Sequence, residues 1–90
     1  MTVRWSKRAI SSLEKITEYI EQDNPARAKT FVQEIRQKSY ILAQHPSIGR
    51  AGRIIGTREL VVHKHYILIY RVRGERIEII EVLHTAKKFP

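Results

Sequence analysis

The spacing of apolar residues changes period once along this 90-residue chain, and that change limits the folds open to it. In the first half, Ala9, Ile10, Leu13, Ile16, Tyr19 and Ile20 recur at helical spacing, which gathers them into one stripe on a helix. After the interruption "QDNPA", residues Ala28, Phe31, Val32, Ile35, Tyr40 and Leu42 roughly continue that spacing. Beyond "HPSIGRAGRIIGT" the period falls to two. "RELVV", "YILIYRV" and "IEIIEVL" are runs rich in β-branched and aromatic residues, separated by the hairpin-length connections "HKH" and "RGER".

Local signals set the limits of each element. Thr2 to Trp5 alternates and reads as a short strand. Ser6 is placed to cap a helix, and Asn24 followed by Pro25 starts a second one, because proline's missing N–H is not needed in the first turn. His45-Pro46 stops it. Two helices with so short a connection predict an antiparallel hairpin. "YILIYRV", apolar at nearly every position, predicts a central strand covered on both faces. The expected fold is α+β, in the order β-α-α-β-β-β, with the helical hairpin packed on one face of a small antiparallel sheet. At this length, residues 1–90 are expected to form a single domain with a modest core.

Composition narrows the function. At 42% hydrophobic and 29% charged, the chain is patterned as a globule and not as a disordered segment. It has no cysteine, so disulfide and thiolate chemistry are excluded. It has neither an apolar run long enough to span a bilayer nor a signal-peptide core in "MTVRWSKRAI", so the expected address is the cytoplasm with no membrane partner. Seventeen Lys and Arg against nine Asp and Glu leave a net charge of +8, a footprint suited to nucleic acid or an acidic protein. Residues 7 to 23 are nearly neutral, with three bases against four acids, whereas Arg50 to Lys88 hold nine bases against four acids.

Four histidines, His45, His63, His65 and His84, invite a metal reading. None shares a zinc-type spacing with another, and Lys64 between two of them would oppose a cation. No metal or other cofactor is expected, and His45 reads as a helix-terminal residue. "GRAGRIIGTRE" matches neither the phosphate-binding lysine loop nor the dinucleotide fingerprint. Its glycines allow close backbone approach, and Arg50, Arg53 and Arg58 supply forked donors for phosphate oxygens. The alternative is a flexible solvated loop.

The ending "VLHTAKKFP" is the most pointed stretch. If the last strand alternates, Ile80, Val82 and His84 share a face, with His84 at the open end. A histidine there suits proton transfer near neutral pH; the plainer reading is a polar residue ending a strand. In an antiparallel sheet, the start of "RELVV" and the tail are expected to meet at one end. Arg58, His84 and Lys87 would then lie together, with Arg71 and Arg73 near them and Lys88 in the basic tail. Such a cluster can bind RNA phosphates, stabilise developing charge and move a proton without a metal.

The order "VRWS", "DNPARAKTFVQEI" and "HPSIGRAGR…GTRELVV…YILIYRV…IEIIEVLHTAKKFP" resembles the RelE/ParE superfamily of toxins from type II toxin-antitoxin modules, over essentially the whole chain. The resemblance implies the β-α-α-β-β-β fold and a cognate acidic antitoxin as partner. It also implies one of two targets. RelE-like members cleave mRNA on the ribosome, and ParE-like members poison DNA gyrase. For the nuclease branch it points to Arg58 as a phosphate-binding residue, His84 as the catalytic residue and Lys87 as its basic neighbour. Two departures stand out. Ile67 occupies the position where RelE nucleases carry an arginine, and no tyrosine follows His84. The balance falls on mRNA cleavage, with gyrase poisoning as the alternative.

Overall fold

A computed structural model describes residues 1–85. Its elements are β1 (Thr2–Trp5), α1 (Lys7–Asp23), α2 (Pro25–Gln44), β2 (Arg50–Ala51), β3 (Arg58–His63), β4 (Tyr66–Arg73) and β5 (Arg76–His84). The two helices pack on one face of a five-stranded sheet of order β1-β5-β4-β3-β2.

The capping signals act as expected. The Ser6 side chain accepts the Ala9 N–H at 3.0 Å and starts α1. Asn24 serves both helices. Its backbone N–H donates to Ile20 O at 2.9 Å, closing α1, while its side chain accepts the Arg27 N–H at 3.1 Å and opens α2 at Pro25. His45 is the C-cap of α2, donating its backbone N–H to Ile41 O. The buried side of α2 is Ala28, Phe31, Ile35 and Leu42. Tyr40 and Tyr19, which fall at helical spacing with the apolar stripes, are instead both 67% exposed.

The sheet departs from the expectation in two ways. β1 runs parallel to β5, so the sheet is mixed, and the two-residue β2 adds a fifth strand against β3. The β3-β4-β5 meander is antiparallel as expected. Its second hairpin turns on Gly74 (φ 58°) with Glu75 at negative φ, the pattern of a type II′ turn with glycine first. Tyr66 to Tyr70 are all buried, as predicted for a central strand. Phe31, Ile35 and Leu42 from the helices meet Leu68, Tyr70, Ile77, Ile79 and Val82 from the sheet to form the core.

Candidate functional site

β5 is irregular where it passes α1. Ile69 pairs with Glu81 but Tyr70 pairs with Ile79, so Ile80 is an extra residue in the strand. A bulge of this kind resets the alternation of side chains. Ile77 and Ile79 face the helices before it, and Val82 faces them after it. Ile80 is therefore not on the face of Val82 and His84 by simple alternation, as the sequence reading had it. The bulge is what turns His84 to the helix side, opposite Tyr66.

Two serines, Ser6 at the N-cap of α1 and Ser12 within the helix, hold the bulge. Ser6 donates its backbone N–H to Ile79 O at 3.0 Å and its hydroxyl to Ile80 O at 3.1 Å. The Ser12 hydroxyl donates to Ala9 O at 2.9 Å and accepts the Val82 N–H at 3.0 Å. Groups displaced from the regular ladder thus find partners on the helix, as partly buried backbone requires. Ser12→Ala would strip the Val82 N–H of its acceptor. The expected cost is about 1–3 kcal/mol, read by thermal unfolding as a fall of at least about 4 °C. No measurable fall would mean that the clamp is not needed.

Between α1 and the end of β5 lies a groove of about 800 Å³ lined by Arg8, Lys15, Tyr19, Tyr66, Leu83 and His84 among others. The His84 ring meets Tyr66 edge-on at 4.9 Å between centroids and stacks on His65 at 5.6 Å with 10° between planes. Tyr66 leans in turn on Phe31 at 4.8 Å. Burial raises the Tyr66 pKa above its ordinary 10.0; the nearby Tyr19 adds to the rise and Arg27 opposes it. The phenol is therefore neutral at physiological pH, a hydrogen-bond donor and not a base. Arg8 reaches Glu81 at 3.2 Å, but its side chain is 75% exposed, so the pair holds the groove only loosely.

The expected meeting of Arg58 and His84 does not form. Arg58 pairs with Tyr70 across β3-β4, whereas His84 pairs with Tyr66 across β4-β5. Four residues of β4 separate the two levels, about 13 Å along the strand, and the residues lie on opposite sides of it. Register is the cause. The strand whose start was expected beside the tail lines up its other end, His63, with Tyr66. Arg71 and Arg73 sit further away still, at the β4-β5 turn. Lys87 and Lys88 lie outside the described residues.

The glycine-rich loop is anchored and not a loose solvated segment. Tyr70 Oη donates to Pro46 O and accepts the Gly49 N–H, both at 2.8 Å. Arg58 donates to Gly49 O at 2.8 Å and Ser47 O at 3.2 Å. Glu59, 4% exposed, accepts from the Arg50 guanidinium and from the Arg53 backbone N–H, both at 3.2 Å. Arg50 and Arg58 thus do structural work within the loop. Among the described residues, no group of three or more His, Asp or Glu side chains is arranged to hold a metal ion, and no helix is long and apolar enough to cross a membrane.

The sequence reading does not name the α1 residues of the groove as site residues, and it gives Tyr19 only as part of the apolar stripe. Arg8, Ser11, Ser12, Lys15 and Tyr19 follow one another at i, i+3, i+4, i+7 and i+11. That spacing puts them on one helical face, and it was the available signal.

This helical hairpin on a mixed sheet is the fold of a group of bacterial toxins. The chain has a TM-score of 0.84 and 25% identity with a structure described as a chromosomal ParDE toxin-antitoxin system from P. aeruginosa, covering 93% of this chain and 95% of that one. It is 40% identical over 89 residues to Y4kP of Sinorhizobium fredii, covering 98% of this chain and 92% of that protein. It is also 32% identical to the toxin RelE2 of Caulobacter vibrioides, covering 94% and 96%. Residues 3–89 match the family described as the ParE toxin of the type II toxin-antitoxin system parDE. The chain belongs to that family and is the toxin of a type II toxin-antitoxin module.

Proposed function

We propose that this toxin stops growth by binding DNA gyrase, as the resemblance to ParE-like members implies, and not by cutting mRNA. The observation that carries the reading is the register that parts Arg58 from His84 and commits Arg58 to the carbonyls of Ser47 and Gly49. RNA transesterification needs a proton-transfer group and a phosphate-binding cation on the same few ångströms of substrate. Burial also disfavours ionisation of Tyr66, a titratable side chain set against His84. In this reading the protein works in the cytoplasm without a cofactor. Its partner in the module is a cognate acidic antitoxin, whose carboxylates and apolar side chains suit the groove with Arg8, Lys15 and Tyr19.

A second reading, ribosome-dependent mRNA cleavage, is favoured by one observation. His84 stands against Tyr66 in a groove that Arg8 and Lys15 also line. One experiment separates the two. After brief induction, translated messages are mapped by primer extension, and purified toxin is added to gyrase and supercoiled DNA. Trapped gyrase-DNA cleavage complexes with intact messages are expected. Cut messages with unaffected gyrase would overturn the proposal. His84→Ala sharpens the result, since loss of a general acid or base costs roughly 10²–10⁴-fold in rate. The gyrase reading predicts a loss of under about tenfold.

A further inference from the structure

The face of the sheet turned away from the helices carries a separate charged feature. Val3 and Trp5 pack against the core, so Thr2 and Arg4 point to the opposite face of β1. The register then sets Arg4, Glu78 and Arg71 in one row across β1, β5 and β4, and Thr2, Arg76 and Arg73 in the next. Neighbouring strands are about 4.8 Å apart, and same-face residues along a strand are about 7 Å apart. Four arginines thus share a patch with backbone dimensions of roughly 10 by 7 Å.

The acids here do not balance this charge. Glu78 accepts from Arg71 through Nε at 2.8 Å and Nη2 at 2.6 Å, which fixes one guanidinium. Among the described residues, no carboxylate lies within ion-pair distance of Arg4, Arg73 or Arg76, and Glu75 in the turn is the other acid nearby. Arg4, Arg73 and Arg76 are exposed, and the Arg71 side chain keeps 38% of its surface. Arg73 and Arg76 face each other directly as the pair that closes the turn. Like charges placed directly opposite destabilise a sheet, and an external anion relieves that repulsion.

We propose that this patch is a docking surface for a nucleic-acid backbone, its guanidiniums meeting successive phosphodiester oxygens. Arginine's planar fork matches phosphate oxygens in pairs. An acidic peptide is the weaker fit, because peptide recognition draws on a groove or apolar anchors and the two rows hold only arginines, Glu78 and Thr2. The patch is distinct from the α1-β5 groove, since Arg76 and His84 lie eight residues apart on β5, about 25 Å along the strand. The proposal stands whether the toxin acts on gyrase or on mRNA.

The test uses the full chain with fluorescein-labelled 12-nucleotide RNA and a 12-base-pair DNA duplex, read by anisotropy across a salt series. Three to four phosphate contacts predict log-log salt slopes of about −2.1 to −2.8 for the single strand and about −2.7 to −3.6 for the duplex. The Arg73→Glu/Arg76→Glu variant is expected to weaken both complexes at least tenfold. Removing two contacts should flatten the slopes by about 1.4 and 1.8. The two arms show which nucleic acid the patch prefers. Lys29→Glu/Lys38→Glu makes the same charge change on α2 and should leave affinity within about threefold. Should the Glu pair fail to fold, as judged by thermal unfolding, Arg73→Gln/Arg76→Gln replaces it, with the same direction expected. Unchanged binding by the arginine variant, equal loss in the α2 control, or equally tight binding of a polyglutamate peptide would each overturn the proposal.

Discussion

Phe31→Ala is expected to lower the stability of this protein by about 3–5 kcal/mol, the range for removing a buried aromatic ring from a core. Phe31 is fully buried on α2. Its ring supports Tyr66 at 4.8 Å, while the Arg27 guanidinium sits 5.9 Å from its centroid on the outer side. A 90-residue domain has a total stability of roughly 5–13 kcal/mol, so the substitution removes about a quarter of it or more. At about 4–8 °C per kcal/mol, the midpoint of thermal unfolding should fall by at least about 12 °C. Phe31→Leu keeps most of the volume and should cost under about 2 kcal/mol. The larger change also acts on the groove, because Tyr66 loses the ring behind it and His84 leans on Tyr66. His84 and Tyr66 ring resonances should therefore broaden or shift in Phe31→Ala more than in Phe31→Leu. A loss under about 1.5 kcal/mol would show that the helical hairpin does not rest on this contact.

The parts of the fold written in local patterns were legible. Ser6, Asn24 and Pro25 mark helix starts by chemistry that acts within one turn, and "RGER" marks a turn through the one residue that tolerates positive φ. Pairing was not legible in the same way. The four residues of β1 alternate correctly for a strand, but nothing in Thr2–Trp5 says that the partner is the first half of β5, in parallel. The bulge at Ile80 did leave a trace. In "IEIIEVL" the two glutamates are three apart, an odd spacing that regular alternation cannot keep on one face, and it marks the phase shift that turns His84 inward. The site was partly legible. His84 is placed on the helix side at the end of β5, whereas nearness to strand ends is a poor guide to which cations surround it. Register, a property of two strands together, sent Arg58 to the Tyr70 level and brought Arg8 and Lys15 from α1 instead.

Gly49 carries the second large effect. Gly49→Ala should cost about 2–3 kcal/mol by overpacking together with a weakened hydrogen bond. A Cβ there would lie 2.7 Å from both Cε1 and the phenolic oxygen of Tyr70 and 3.0 Å from the Glu59 carbonyl. None of these can easily move. Tyr70 is fully buried, and its hydroxyl is held between the Pro46 carbonyl and the Gly49 N–H. The Glu59 carbonyl belongs to β3, paired with β2 on one side and β4 on the other. The loop would have to lift, taking with it the Gly49 carbonyl that Arg58 holds. Tyr70→Phe alone should cost about 1–2 kcal/mol, since it orphans the Pro46 carbonyl and the Gly49 N–H. It also removes one of the two Tyr70 atoms that crowd the new methyl, while Cε1 stays. The two changes should therefore couple, with Gly49→Ala costing about 1 kcal/mol less in the Tyr70→Phe background. Additive losses would locate the strain at the contacts that remain, Tyr70 Cε1 and the Glu59 carbonyl. Limited proteolysis gives an independent reading, because a lifted loop should be cut between residues 47 and 56 at protease levels that leave the parent chain whole.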